Sequence, residues 1–120
     1  MKWIISAVVL AATATFATGG AAHASAGKEP VSREQYRTLI NQCRYAETKA
    51  ARQDCRAEAR KTYTIGAWNP TLNCRTYSSV TVCGKLHLSD RQRACVRDFI
   101  QRGLTYDRSE VECYAFLKHN

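Results

Sequence analysis

Cys74-Arg75-Thr76-Tyr77-Ser78-Ser79-Val80-Thr81-Val82-Cys83 decides the fold, because its two cysteines are symmetric about the Ser78–Ser79 bond. With Ser78 and Ser79 as a two-residue turn, Tyr77 opposes Val80, Thr76 opposes Thr81, Arg75 opposes Val82 and Cys74 opposes Cys83. Hydrogen-bonded and non-hydrogen-bonded pairs alternate outward from such a turn. The cysteines therefore fall on a non-hydrogen-bonded pair, where side chains come closest. The stretch predicts a β-hairpin closed by a Cys74–Cys83 disulfide.

Upstream, the pattern is helical. Ser32 with Gln35 forms a capping box, and Tyr36, Leu39, Ile40 and Cys43 share one face of a helix from Arg33 to about Ala46. Thr48 either caps a second helix or lies within a continuing first one. Lys49 to Tyr63 is rich in strong helix formers, with Ala51, Cys55, Ala59 and Tyr63 inward and Arg52, Arg56 and Arg60 on an adjacent line. Gly66 reads as its terminator. Ala67 to Asn73 is a loop that Trp68 and Leu72 are expected to pin to the core, with Asn69-Pro70 marking a turn.

Downstream, Gly84 permits a bend, and Leu86 and Leu88 alternate with His87. Ser89 with Gln92 opens the clearest helix, striped by Cys95, Val96, Phe99 and Ile100 and ended by Gly103. Leu104 to Asn120 fits either a short helix or a strand against the hairpin. The class is α-rich α+β: about three helices with a small central β-hairpin, stapled by three disulfides.

Lys2, an apolar run from Trp3 to Phe16, and the small-x-small sites Ala22-His23-Ala24 and Ala24-Ser25-Ala26 describe a secretory signal peptide over 1–24, cleaved after residue 24 or 26. Residues 25–120 then form one small domain with no transmembrane segment. All 6 cysteines lie in that part. An even count in a small exported chain reads as a disulfide framework, and without a C-x2-C pair no metal site or cofactor is expected. The Cys43-to-Cys55 interval equals that from Cys83 to Cys95, and Cys55-to-Cys74 nearly equals Cys95-to-Cys113. A duplicated unit with that spacing predicts Cys43–Cys113 and Cys55–Cys95 beside Cys74–Cys83.

The formal net charge is +8, and arginine dominates it. Such a balance favours an anionic polymer or an acidic protein surface as partner. The expected anion-binding residues are Arg52, Arg56 and Arg60, extended by Arg93, Arg97 and Arg102 if the two helices lie side by side; a solvated helix face explains the same pattern. Nucleic acid is an uncommon partner for an exported chain and no binding motif for it is present.

Catalytic groups are few. After export only His87 and His119 remain, and no serine has a nucleophile-elbow context. Lys85, His87 and Asp90 are the weak acid–base candidates, and a strand face in solvent accounts for them equally well. The helix around Cys95-Val96-Arg97-Asp98 lacks the His-Asp pair of a metal-dependent lipase or nuclease. These features favour a small secreted or periplasmic, cell-wall-associated binding or inhibitory protein without catalysis. The alternatives are a small hydrolase using His87 with a nearby acid, or a cationic membrane-active protein.

Overall fold

The structure is a computed structural model and describes residues 27–117. The expected leader, residues 1–24, and His119 lie outside those residues. Strand β1 (Glu29–Val31) is followed by α1 (Arg33–Asn41), a 3-10 turn (Gln42–Tyr45) and α2 (Lys49–Thr62). Strand β2 (Tyr63–Ile65) returns parallel to β1, with Val31 opposite Ile65. The hairpin β3 (Cys74–Tyr77) and β4 (Val80–Cys83) follows, then α3 (Asp90–Gln101) and α4 (Tyr106–Phe116).

The local signals explain these limits. Ser32 and Ser89 both form complete capping boxes, with Gln35 and Gln92. Thr48 accepts from the Ala51 N–H, so α2 starts afresh after a break at Ala46, where the backbone is extended. Gly103, at φ 103°, turns the chain between α3 and α4. The hairpin has the register read from the sequence, Cys74 opposite Cys83 and Tyr77 opposite Val80. Its turn uses two non-glycine residues at positive φ, Ser78 at 53° and Ser79 at 68°. A two-residue hairpin demands this backbone, because its twist matches that of the flanking strands.

Several expectations are corrected. Of the two readings open for the segment after Gly103, the helix is the one formed, as α4, which makes four helices among the described residues. The lead-in before Ser32 is a strand, and α2 passes into β2 rather than ending at Gly66. Gly66 instead lies so close to Pro30 that a Cβ there would meet the Pro30 Cβ at 3.0 Å. Leu72 is buried, but Trp68 is 60% exposed.

The disulfides are Cys43–Cys55, Cys74–Cys83 and Cys95–Cys113. Cys74–Cys83 is as expected; Cys43–Cys113 and Cys55–Cys95 are not formed. The reason is topological. The 3-10 turn folds α2 back on α1 and brings Cys55 to Cys43 at a Cα separation of 5.4 Å. The turn at Gly103 folds α4 back on α3 and brings Cys113 to Cys95 at 5.8 Å. Each module, helical hairpin, β-hairpin, helical hairpin, closes on itself, and the repeated cysteine spacing reflects no duplicated pairing.

The β-hairpin is the wall between two cores. Cys83 joins Val31, Leu39, Ala59 and Leu72 on one side. Its neighbour Val82 joins Leu86, Val111 and Tyr114 on the other, as the alternation of a strand requires. Buried amides tie the modules together. Gln35 Nε2 donates to the Asn69 carbonyl at 2.9 Å, and the Asn69 N–H donates back to Gln35 Oε1 at 2.9 Å. That same Oε1 accepts from the Ser32 N–H, so one side chain both caps α1 and fixes the 66–73 loop. Gln92 reaches across to the Tyr45 carbonyl at 3.2 Å.

Candidate functional site

The segment Lys85-Leu86-His87-Leu88, between the hairpin and α3, forms a ridge with a cleft on either side. Leu86 is buried and anchors it, which leaves Lys85 and His87 outward. One cleft, of about 500 Å³, separates the ridge from α2. Its floor includes Ala46, Ala51, Leu86 and Tyr114, and its far lip carries Asp54 and Glu58. The other, of about 490 Å³, lies against α3, with Arg93, Arg97, Ile100 and Tyr106. His87 and Lys85 line both.

The acid beside His87 is not the one that proximity in sequence suggested. Asp90 lines neither cleft and is ion-paired with Arg93 within α3. Asp54 and Glu58, one helical turn apart, face the His87 side of α2 instead. Among the described residues, His87 and Lys85 make no hydrogen bond or ion pair. Every cysteine is disulfide-bonded, so no thiol serves as nucleophile. At the base of the first cleft, burial pushes the Tyr114 phenol up to about 12, and its ring meets that of Tyr45 edge-on at 6.0 Å.

The six arginines expected to form a stripe divide. Arg52 donates to the Ala46 carbonyl at 2.9 Å and so fixes the chain before α2. Arg93 is held by Asp90 and by the Leu88 carbonyl, and Arg102 pairs with Asp98 at 3.0 Å. Arg56, Arg60 and Arg97 have no carboxylate partner among the described residues. Helix α2 packs on α1 and the 3-10 turn, and α3 packs on α4. Helices α2 and α3 therefore do not pack side by side, and the ridge Lys85–Leu88 lies between them.

Helix α1 carries cations outside the expected anion-binding set. Arg33 and Arg37 stand one turn apart on its exposed side, and Arg44 follows in the 3-10 turn. None of them pairs with a carboxylate among the described residues. Their helical spacing was the available signal. By contrast, four of the five ion pairs among the described residues lie within or onto the C-terminal half: Arg75–Glu110, Arg93–Asp90, Arg102–Asp98 and Arg108–Glu112. The fifth joins Arg91 of α3 to Glu47 ahead of α2.

Among the described residues no helix is long and apolar enough to cross a membrane, and no three His, Cys, Asp or Glu side chains converge as metal ligands would. No protein-family model matches the chain, and comparison with curated proteins and with solved structures finds no match.

Proposed function

We propose that the chain is a small exported binding or inhibitory protein, without catalysis, whose partner is anionic: an acidic protein surface or an anionic polymer of the cell envelope. The observation that carries this reading is the segregation of charge. Cations on α3 and α4 are largely neutralised by neighbouring carboxylates, whereas Arg33, Arg37, Arg56, Arg60 and Lys61 on α1 and α2 stand without one among the described residues. Arginine offers a planar fork for carboxylate, phosphate or sulfate, and an unpaired one keeps that fork free. Three disulfides support an oxidising compartment outside the cytoplasm.

Salt-dependent retention on a sulfated polysaccharide column tests this. Retention at low ionic strength should fall steeply with added salt, and neutralising Arg56 and Arg60 together should weaken it more than neutralising Arg97 with Arg102. Passage through the column at low salt would sink the reading. A second reading, a hydrolase in which His87 activates water, is favoured by one observation: Asp54 and Glu58 share its cleft. Loss of a measured hydrolytic activity in His87→Ala would establish it in place of the first.

A further inference from the structure

Helix α1 and the outer face of the β-hairpin leave a groove between them. It consists of two adjoining hollows, of about 390 Å³ and 230 Å³, that share Thr38 and Thr81. Trp68 stands at one end with Glu34 and Arg37; Asn41, Arg44 and Ser79 stand toward the other. The Cys74–Cys83 bridge lies along the wall beside Trp68.

We propose that this groove binds an anionic glycan strand. The inference rests on the anionic-partner reading above and deepens it by naming the ligand class and its site.

Trp68 is the first support. It is 60% exposed, yet the loop that carries it is fixed. Asn69 exchanges two hydrogen bonds with buried Gln35, donates from Nδ2 to Glu29 at 2.6 Å, and accepts from the Thr71 N–H at 2.9 Å. A large aromatic face displayed on a preorganised loop loses little conformational entropy when a ligand covers it. An indole face suits the C–H surface of a sugar ring.

The walls give the second support. Thr38, Thr81, Ser79 and Asn41 present hydroxyls and an amide, which both donate and accept and so match sugar hydroxyls. Thr81 shares one hydrogen bond with Thr76 at 2.7 Å and retains further capacity. The core of a protein–protein contact is more apolar than this groove. Charge gives the third: Arg37 and Arg44 flank the groove without carboxylate partners among the described residues. Glu34, at the Trp68 end, repels an anion there. The acidic substituents therefore sit between Arg37 and Arg44, and an uncharged face of the sugar sits on Trp68.

Single-stranded nucleic acid fits less well. It needs successive open aromatic faces, and the Tyr45 ring is already covered by the Arg44 guanidinium, 5.1 Å from its centroid.

The chain contains two tryptophans, Trp3 and Trp68, so Trp3→Phe leaves Trp68 as the sole indole emitter. Titration of that full-length chain, disulfides intact, with a short oligogalacturonate should change its emission saturably, and a neutral dextran oligosaccharide should not. By calorimetry, Arg37→Gln/Arg44→Gln and, separately, Trp68→Ala should each weaken binding about tenfold, and Arg108→Gln, whose guanidinium is paired with Glu112, by less than about twofold. Arg37, Arg44, Trp68 and Arg108 are exposed, so far-ultraviolet circular dichroism should be unchanged. If polyanion binding survives the groove variants and is lost with Arg56 and Arg60, the groove is refuted and the broader reading stands. Tighter binding of oligodeoxythymidylate or polyaspartate refutes the glycan. Failure to bind any polyanion refutes both.

Discussion

Gln42 and Cys83 exchange two hydrogen bonds: Gln42 Nε2 donates to the Cys83 carbonyl at 2.9 Å, and the Cys83 N–H donates to Gln42 Oε1 at 2.8 Å. A side-chain amide thus satisfies both backbone groups at the end of β4, where a third strand would otherwise do so. Both residues are buried. Gln42→Ala leaves a buried N–H and a buried carbonyl unpaired, and each such group costs about 1–3 kcal/mol. The variant should lose about 2–4 kcal/mol in denaturant unfolding with disulfides intact. A loss below about 0.5 kcal/mol, the scale of an ordinary surface change, would show that the clamp is not made in solution.

Arg75 and Glu110 lock the other face of the hairpin to α4 through a 2.6 Å ion pair whose side chains are each only 8% exposed. The remaining guanidinium hydrogens are partly spent on the Asn73 and Gly84 carbonyls, at 2.7 and 3.0 Å, and Arg75 Nε stays buried without a partner. Breaking a buried pair from one side strands a charge, typically at about 3–5 kcal/mol, whereas removing both partners costs much less. Glu110→Ala should therefore destabilise more than the double variant Arg75→Leu/Glu110→Leu. The reverse order in urea midpoints would mean that the pair is hydrated in solution.

Ser79, at φ 68°, occupies a backbone region that glycine enters without steric cost. Ser79→Gly should stabilise the hairpin by about 0.5–1 kcal/mol. Ser78→Gly should gain less, because the Ser78 hydroxyl donates to the Glu112 carboxylate at 2.8 Å and that bond is lost. Thermal midpoints of the two variants test the order.

The sequence made local structure readable wherever one residue type has one mechanical role. Ser32 with Gln35 and Ser89 with Gln92 announced two helix starts, and Cys74 and Cys83 set a register that a two-residue turn then determined. It did not reveal partners that depend on how modules meet. Gln35, Gln42 and Gln92 look like polar surface residues, yet all three are buried because each faces backbone groups of a distant segment. Cys43 carried no mark of its partner, since 6 cysteines admit many pairings and the choice was made by the 3-10 turn at Gln42–Tyr45. His87 was identifiable as scarce; that Asp54 and Glu58 face it, and that Asp90 turns to Arg93, required the fold.

Tyr114 sets an alkaline limit. Burial raises its phenol from 10.0 to about 12 in the folded chain. The neutral form is favoured by folding, so this contribution is intact below the unfolded value. Stability then falls as pH rises from about 10 toward about 12. Burial, first, and the carboxylates Glu29 and Glu58 also raise Tyr63, in the same direction. Tyr114→Phe should flatten part of the alkaline fall while leaving stability at neutral pH little changed. Glu112 acts at the opposite end: hydrogen bonds from Ser78 and then Arg108 hold its carboxyl below 4.5, so its contribution is complete above that pH and is lost as pH falls through the lowered value. Glu112→Gln should remove that acid-side slope and leave the alkaline one.

Disulfide pairing offers the sharpest test of the modular architecture. The bridges close short loops, with separations of 12, 9 and 18 residues. Loops of that length each restrict the unfolded chain by about 3 kcal/mol on the chain-entropy account. A Cys43–Cys113 bond would enclose most of the domain and contribute more, about 4–5 kcal/mol on the same account, so the local pairing is not the one that maximises this term. It is the one that each helical hairpin imposes by its own turn, at Cα separations of 5.4 and 5.8 Å. In a Cys43→Ala variant, thiol labelling should therefore find Cys55 free and Cys95 still joined to Cys113. Long-range pairing requires the opposite, with Cys113 labelled and Cys55 protected by Cys95. Peptide mapping under non-reducing conditions distinguishes the two, and a labelled Cys113 would falsify the three-module fold.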